Sequence, residues 1–350
     1  MKFLLAMIVV FSLFSTEGNA AKKELYEHTR DDSQDCKKCH DMAKKKKFIH
    51  MPVRLNSCTT CHNVFNKTKK HLRVEDRIKM CVMCHADKRE LIKSGKNIHP
   101  PVKRDCTNCH DPHSGNRKFR LKADKRKNLC LMCHTKKRKW LKNATAKHGA
   151  IYRKNGGCIA CHDPHSTGRK KMLKKSVNKL CLSCHNKTLK RDEDGAKLLN
   201  IAKHLRDNKK WHKPIKSGNC VSCHNPHGST NHRMLHEPFP TKSIVKFAPE
   251  KYVCFRCHES TKITEEFTTT DTNFRKGNNN LHNLHVKKKS IACGTCHDFH
   301  ATKKGVPLIK DKTTFSGTEF KLRYIKALNG GSCNPICHNK KEYNNRFQPK

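Results

Sequence analysis

Apolar positions are sparse and unevenly placed along the chain. One long apolar run stands at the start, Phe3 to Phe14, preceded by Lys2 and followed by a polar stretch that ends Gly18-Asn19-Ala20. A basic residue, an apolar run too short to span a bilayer and small residues before a cut after Ala20 predict an export signal over residues 1–20. Nothing amphipathic follows it, and no later segment approaches 18 consecutive apolar residues. The rest carries apolar residues singly or in short clusters between Lys and Arg. That pattern predicts short helices joined by irregular linkers, with little sheet.

Composition sharpens the picture. Apolar residues make up 35 % of the chain, and 22 of them are cysteines. Without those cysteines about 29 % remains, against roughly 45–50 % in an ordinary domain with glycine counted. A chain this polar stays unfolded unless something other than its side chains supplies apolar bulk.

The cysteines say what that is. All 22 fall into eleven pairs, each followed by a histidine. Ten are Cys-x-x-Cys-His: Cys36/Cys39/His40, Cys58/Cys61/His62, Cys81/Cys84/His85, Cys106/Cys109/His110, Cys130/Cys133/His134, Cys158/Cys161/His162, Cys181/Cys184/His185, Cys220/Cys223/His224, Cys254/Cys257/His258 and Cys293/Cys296/His297. The eleventh, Cys333/Cys337/His338, has one extra residue in its spacer. A disulfide framework has no need of a histidine after every pair. Zinc sites need two knuckles or added histidines, and eleven is an odd number. Attachment of haem c needs this arrangement: two thiols add to the porphyrin vinyl groups and the adjacent histidine binds iron. Eleven haems are expected, with a disulfide the rival reading only at Cys333/Cys337. Haem c is attached outside the cytoplasm in bacteria, which agrees with export.

Fifteen histidines lie outside the motifs. If every iron takes two histidines, eleven are needed as sixth ligands. His28, His50, His212 and His285 precede a motif by eight residues, His99 by seven, and His71 and His148 by ten. That is enough chain to wrap a haem edge and present an imidazole to its other face. His113, His165, His227 and His300 each follow a motif histidine by three, as in Asp-Pro-His. If that stretch is helical, the two rings share a face, so the second must reach a neighbouring haem rather than its own. The expected pairing gives His113 to the Cys130 haem, His165 to Cys181, His227 to Cys254 and His300 to Cys333. Each upstream histidine is expected to serve the motif it precedes, with His71 assigned to Cys81. His204, His232, His236 and His282 are left over, and a surface or turn role is the simpler reading for them, although His282 could replace His285, and His232 or His236 could replace His227.

The chain repeats one unit. Residues 99–134, 148–185, 212–258 and 285–338 each read histidine, motif, Pro or Phe, histidine, basic linker, second motif. Residues 50–85 are a degenerate copy in which Phe65 replaces the bridging histidine. The expected division is an N-terminal three-haem segment over 21–92 and haem-pair units over 93–142, 143–205, 206–262 and 263–350. The stretches "CTNCHDPH", "CIACHDPH" and "CHNPHGS" resemble the doubled-CxxCH family of multihaem c-type cytochromes. They are also similar to the periplasmic decahaem cytochromes that sit inside outer-membrane porins. The resemblance implies bis-histidine haems stacked as a chain that relays electrons, with a porin or other cytochromes as partners. With about 30 residues per haem, the expected fold is a multihaem cytochrome c, mostly irregular with short α-helices, whose core is formed by covalently bound haems.

Charge adds a surface. The formal net charge is +47. Eleven ferric haems with ionised propionates, about −1 each, leave about +36. Basic residues spread over the whole length, so most of this charge faces solvent and steers acidic redox proteins or anionic envelope surfaces. Export and only 6 % aromatic residues make nucleic acid a poor physiological partner. The expectation is a periplasmic or exterior electron carrier, not an enzyme. The rival is a multihaem oxidoreductase reducing a nitrogen or sulfur oxyanion, which needs one iron with an open site.

Overall fold

The computed structural model describes residues 36–38, 40–63, 71–124, 127–192, 194–303 and 308–346. The expected export signal, His28, Cys39 and Phe65 lie outside the described residues. Elements are short, as the apolar pattern requires. The longest α-helices, Ala86–Ser94 and Thr135–Asn143, have nine residues each. No helix among the described residues is long and apolar enough to cross a membrane.

In the three units from His50 to His185 the two motifs fold differently; in the fourth both sit on 3₁₀ turns, and in the last the first motif is α-helical. The first sits on a 3₁₀ turn in Cys58–Thr60, Cys106–Asn108, Cys158–Ala160 and Cys220–Ser222. The second lies on an α-helix in Arg77–Cys84, Asn128–Leu131 and Val177–Leu182. Caps explain part of this. The Asp76 carboxylate accepts from the amides of Ile78 and Lys79, starting the helix that carries Cys81. Asp105 accepts from the Thr107 amide at 2.8 Å and closes the tighter turn at Cys106.

Strand pairing runs between units. Phe48–Ile49, just before His50, pairs antiparallel with Ser114–Gly115, just after His113. Asn97–Ile98 pairs in the same way with Ser166–Thr167, and Lys210–Trp211 with Ala301–Thr302. A single bridge, Ala146 to Ser229, does this between the other two units. Each unit is therefore stitched to the next by the segments that carry non-motif histidines. Towards the C-terminus a hairpin, Lys312–Phe315 with Thr318–Lys321, precedes a three-stranded sheet of Ile325–Ala327, Gly330–Cys333 and Lys341–Asn344. Gly330 is obligatory there: its φ is 149°, and a Cβ would lie 1.9 Å from the Tyr343 carbonyl oxygen.

The polypeptide does not build a conventional core. Nine apolar residues are buried among those described, three of them alanines, against eleven buried polar ones. One aromatic cluster gathers Phe239, Phe247, Tyr252, Phe255 and Phe299, with Tyr252 only 2 % exposed. So few buried side chains cannot offset the entropy of ordering some 300 residues.

Candidate functional site

The site is a repeated turn. After Cys-x-x-Cys the histidine bridges to a leucine further on: His110 to Leu121, His162 to Leu173, His224 to Leu235. Closing that loop takes two consecutive left-handed residues, Phe119 and Arg120, Lys171 and Met172, or Arg233 and Met234, with φ between 53° and 61°. Non-glycine residues pay roughly 1 kcal/mol each for this conformation. The strain aims a carbonyl. The Phe119, Lys171 and Arg233 oxygens lie 2.9, 2.8 and 3.0 Å from Nδ1 of His110, His162 and His224. With Nδ1 occupied, Nε2 is free to bind a metal.

The non-motif histidines are held in the same way, from the neighbouring unit. Nδ1 of His50, His99 and His148 lies 2.8, 3.0 and 2.9 Å from the carbonyls of Pro112, Pro164 and Pro226. The Phe299 carbonyl does this for His212. Those acceptors are the residues before His113, His165, His227 and His300. One turn thus positions two imidazoles, one on its own chain segment and one on the unit before.

The turn is not helical. The Asp111 carboxylate accepts from the amides of His113 and Ser114, and Asp298 does the same for His300 and Ala301. Asp163 and Asn225 accept from the amides of His165 and His227. This Asx turn, followed by extended chain, replaces the expected helix and points the second histidine away from the first.

The outcome is a series of facing imidazoles. His50 faces His85, His62 faces His113, His99 faces His134, His110 faces His165, and His148 faces His185. His162 faces His227, His212 faces His258, His224 faces His300, His282 faces His297, and His285 faces His338. Ring centres are 5.9 to 6.5 Å apart, and nine of the ten pairs are within 21° of parallel. Every pair joins one motif histidine to one from outside the motifs. A metal–imidazole bond is about 2 Å and the ring centre lies roughly 1 Å further, so two rings on opposite sides of one iron stand about 6 Å apart. The residues present fit a bis-histidine haem.

Electrostatics agree. Burial pushes His227 and His300 down to about 4 and His282 to about 3. Burial also lowers His148, His165, His185 and His224. Imidazoles held neutral are in the form that binds a metal. No disulfide joins the described cysteines, and no three His, Cys, Asp or Glu side chains among the described residues converge as a zinc site would require.

Cysteines of successive motifs approach one another along the whole series. Cys58 contacts Cys36, Cys81 contacts Cys106, Cys130 contacts Cys158 and Cys181 contacts Cys220. Cys61 interacts electrostatically with Cys84, Cys109 with Cys133, Cys161 with Cys184, Cys254 with Cys223 and Cys293, and Cys296 with Cys333 and Cys337. Neighbours in sequence are neighbours in space: four thiol contacts, with electrostatic interactions between the remaining successive pairs, link the eleven motifs in chain order.

Cys84, Cys133, Cys184, Cys257 and Cys337 are exposed, whereas the other described cysteines are half-buried. Each of the five is the second cysteine of the second motif in its unit. Position at the end of an element does not distinguish them: Cys84 ends Arg77–Cys84 and Cys257 caps Val253–Arg256, but the half-buried Cys61, Cys109, Cys161 and Cys223 are also C-caps.

The model of the doubled CXXCH motif matches residues 50–90, 99–139, 148–190 and 212–263, half of the chain. The chain belongs to the doubled CXXCH family of multihaem c-type cytochromes. No curated protein matches it. The family establishes covalently bound haem c and electron transfer for this cytochrome. Its first motif, at Cys36, and its last pair, at Cys293 and Cys333, lie outside the matched stretches.

Among the described residues the pairing differs from the expected one; that of His28 with the Cys36 motif lies outside them. His113 stands opposite His62 rather than His134, His165 opposite His110 rather than His185, His227 opposite His162 rather than His258, and His300 opposite His224 rather than His338. The bridging histidine serves the unit before it, because the Asx turn docks backwards through the inter-unit strands. Each upstream histidine skips the motif it precedes and faces the second motif of its own unit: His50 with His85, His99 with His134, His148 with His185, His212 with His258 and His285 with His338. His71, assigned to the Cys81 motif, is displaced there by His50 and sits at a left-handed position, φ 49°, beside the His62–Leu72 bridge. Of the four histidines left over, His232 is exposed and the Val221 carbonyl engages His236. His204 lies 3.3 Å from Asp298. His282 faces the motif histidine His297, the place for which it was the alternative to His285.

Proposed function

We propose that this cytochrome is an exported relay in which eleven bis-histidine haems pass electrons in the order of their motifs. The unbroken succession of cysteine approaches from Cys36 to Cys337 carries this reading. The sixth ligands are the facing histidines, with His28 or His71 completing the site at His40. When bound, each haem supplies a one-electron couple whose two strong imidazole ligands change little with oxidation state. The chain's part is to hold each imidazole neutral and aimed, through the carbonyls of residues such as Phe119 and Pro112, and to pin neighbouring porphyrins side by side through their thioethers. Bis-histidine ligation keeps potentials low compared with histidine–methionine haems.

The proposed location is the periplasm or the cell exterior. The proposed partners are acidic redox proteins, anionic envelope surfaces, or a porin and other cytochromes, as in the decahaem proteins it resembles. Lys44 to Lys47, Lys136 to Lys139 and Lys287 to Lys289 are all exposed, giving a basic field along the molecule. The intact mass of the mature protein and carbon monoxide titration of its reduced form test the proposal together. The expected results are an excess of eleven haems and no carbon monoxide bound at stoichiometric gas, displacement of a histidine needing a large excess. A smaller excess refutes the count, and stoichiometric binding reveals an open iron, the arrangement an oxyanion-reducing enzyme needs.

A further inference from the structure

The interlock follows one rule until its last unit. The first motif of each unit from His62 to His224 receives its facing imidazole from the bridging turn of the unit after it. His297 departs from the rule. Its partner is His282, which lies upstream in its own unit at 6.4 Å and 21°.

The segment before this pair is built to hold His282. Asn280, 3 % exposed, donates to the Ile263 carbonyl at 2.9 Å, and its side-chain oxygen accepts from the His282 amide at 2.9 Å. Asn283, also 3 % exposed, donates to the Thr264 carbonyl. The Thr272 hydroxyl lies 3.3 Å from His282 Nδ1, which directs Nε2 towards His297. Phe274 packs on the edges of both His282 and Tyr343. His285, three residues on, faces His338. One short π-helical stretch, Asn283–Lys288 with His282 as its N-cap, therefore serves two successive motifs.

We propose that His282 is the sixth iron ligand of the haem at Cys293 and Cys296, and that it caps the interlocked series. The proposal rests on the bis-histidine reading above. A further unit docked behind this one would find the slot at His297 already filled. The segment around residues 263–282 is then the closing element of the array, matching the general need of repeat arrays for an atypical terminal unit.

The test uses the full haem-loaded protein. His282→Ala should retain every haem by intact mass and gain one high-spin ferric haem over wild type. Once reduced, it should bind one further equivalent of carbon monoxide, and added imidazole should reverse both changes. In a Cys293→Ala/Cys296→Ala background the same substitution should add nothing. His282→Met, which keeps a ligating atom, should stay low-spin, show a sulfur-to-iron charge-transfer band and raise one potential. An unchanged low-spin spectrum in His282→Ala, or a gain that survives loss of the Cys293/Cys296 haem, overturns the proposal. Because each readout is an increment over wild type, a wild type that itself lacks haems or binds carbon monoxide counts against the relay and leaves the His282 test readable.

Discussion

The backward reach of the bridging histidines can be tested at Asp111. Its carboxylate accepts from the His113 amide at 2.9 Å and the Ser114 amide at 3.2 Å, and the side chain is 46 % exposed. Hydrogen bonds to a charged group contribute roughly 1.5–3 kcal/mol when shielded. At this exposure about 1 kcal/mol each is the appropriate scale. Asp111→Ala should therefore weaken the seating of His113 by about 2 kcal/mol, or roughly thirtyfold. Carbon monoxide competes with His113 for ferrous iron, so the gas concentration giving half-conversion should fall by that factor at one haem. The haem affected should be that of Cys58 and Cys61, and Cys58→Ala/Cys61→Ala should abolish the response. Asp111→Asn should lose about half the energy and give roughly a fivefold change, since Asn225 already does this work for the His227 amide at 3.1 Å. A response at the haem of Cys106 or of Cys130, or none at all, would refute the inter-unit reading.

Other expectations concern the last unit and the whole array. The rings of His285 and His338 cross at 53°, so the haem of Cys333 and Cys337 should give a more anisotropic low-spin ferric signal than the rest, and Cys333→Ala/Cys337→Ala should remove that signal alone. The Asp298 carboxylate holds His204 above its ordinary 6.5, a contribution complete below that value and lost as pH rises through the folded one. Asp298 itself, although burial opposes it, is brought down to about 2 by bonds from His204 and the His300 amide, so its contribution fades as pH falls from about 4. The thermal stability lost in His204→Gln should therefore be largest between about pH 4 and 6.5 and smallest in alkali; the opposite trend would contradict the ion pair. Chain produced without haem attachment should show no cooperative unfolding by circular dichroism, and a native-like transition would show that the polypeptide has a core of its own.

How much of this was legible in the sequence follows from the range of each interaction. The motifs are local, so the haem sites could be read from Cys-x-x-Cys-His alone. The repeat was legible too, because histidine, motif, histidine and second motif recur in the same order although the linkers differ in length. Pairing was not legible, because it depends on contacts such as Pro112 with His50, 62 residues apart, and on strands shared between units. The backward turn of the Asp-Pro-His stretch had a local signal, because an aspartate followed by proline favours an Asx turn over the helix on which the expected pairing was conditional. His282 lacked any motif context. Its one visible signal was its place three residues before His285, in a linker longer than those before His99 and His148.

The account stands most directly on where the irons are. Anomalous diffraction at the iron absorption edge, from crystals of the haem-loaded protein, should show eleven iron peaks. Ten should lie midway between the facing rings, from His62–His113 to His285–His338, and the peaks should run from end to end in the order of their motifs. Irons found away from those ring pairs, or ordered so that motifs adjacent in sequence are not adjacent in space, would contradict it.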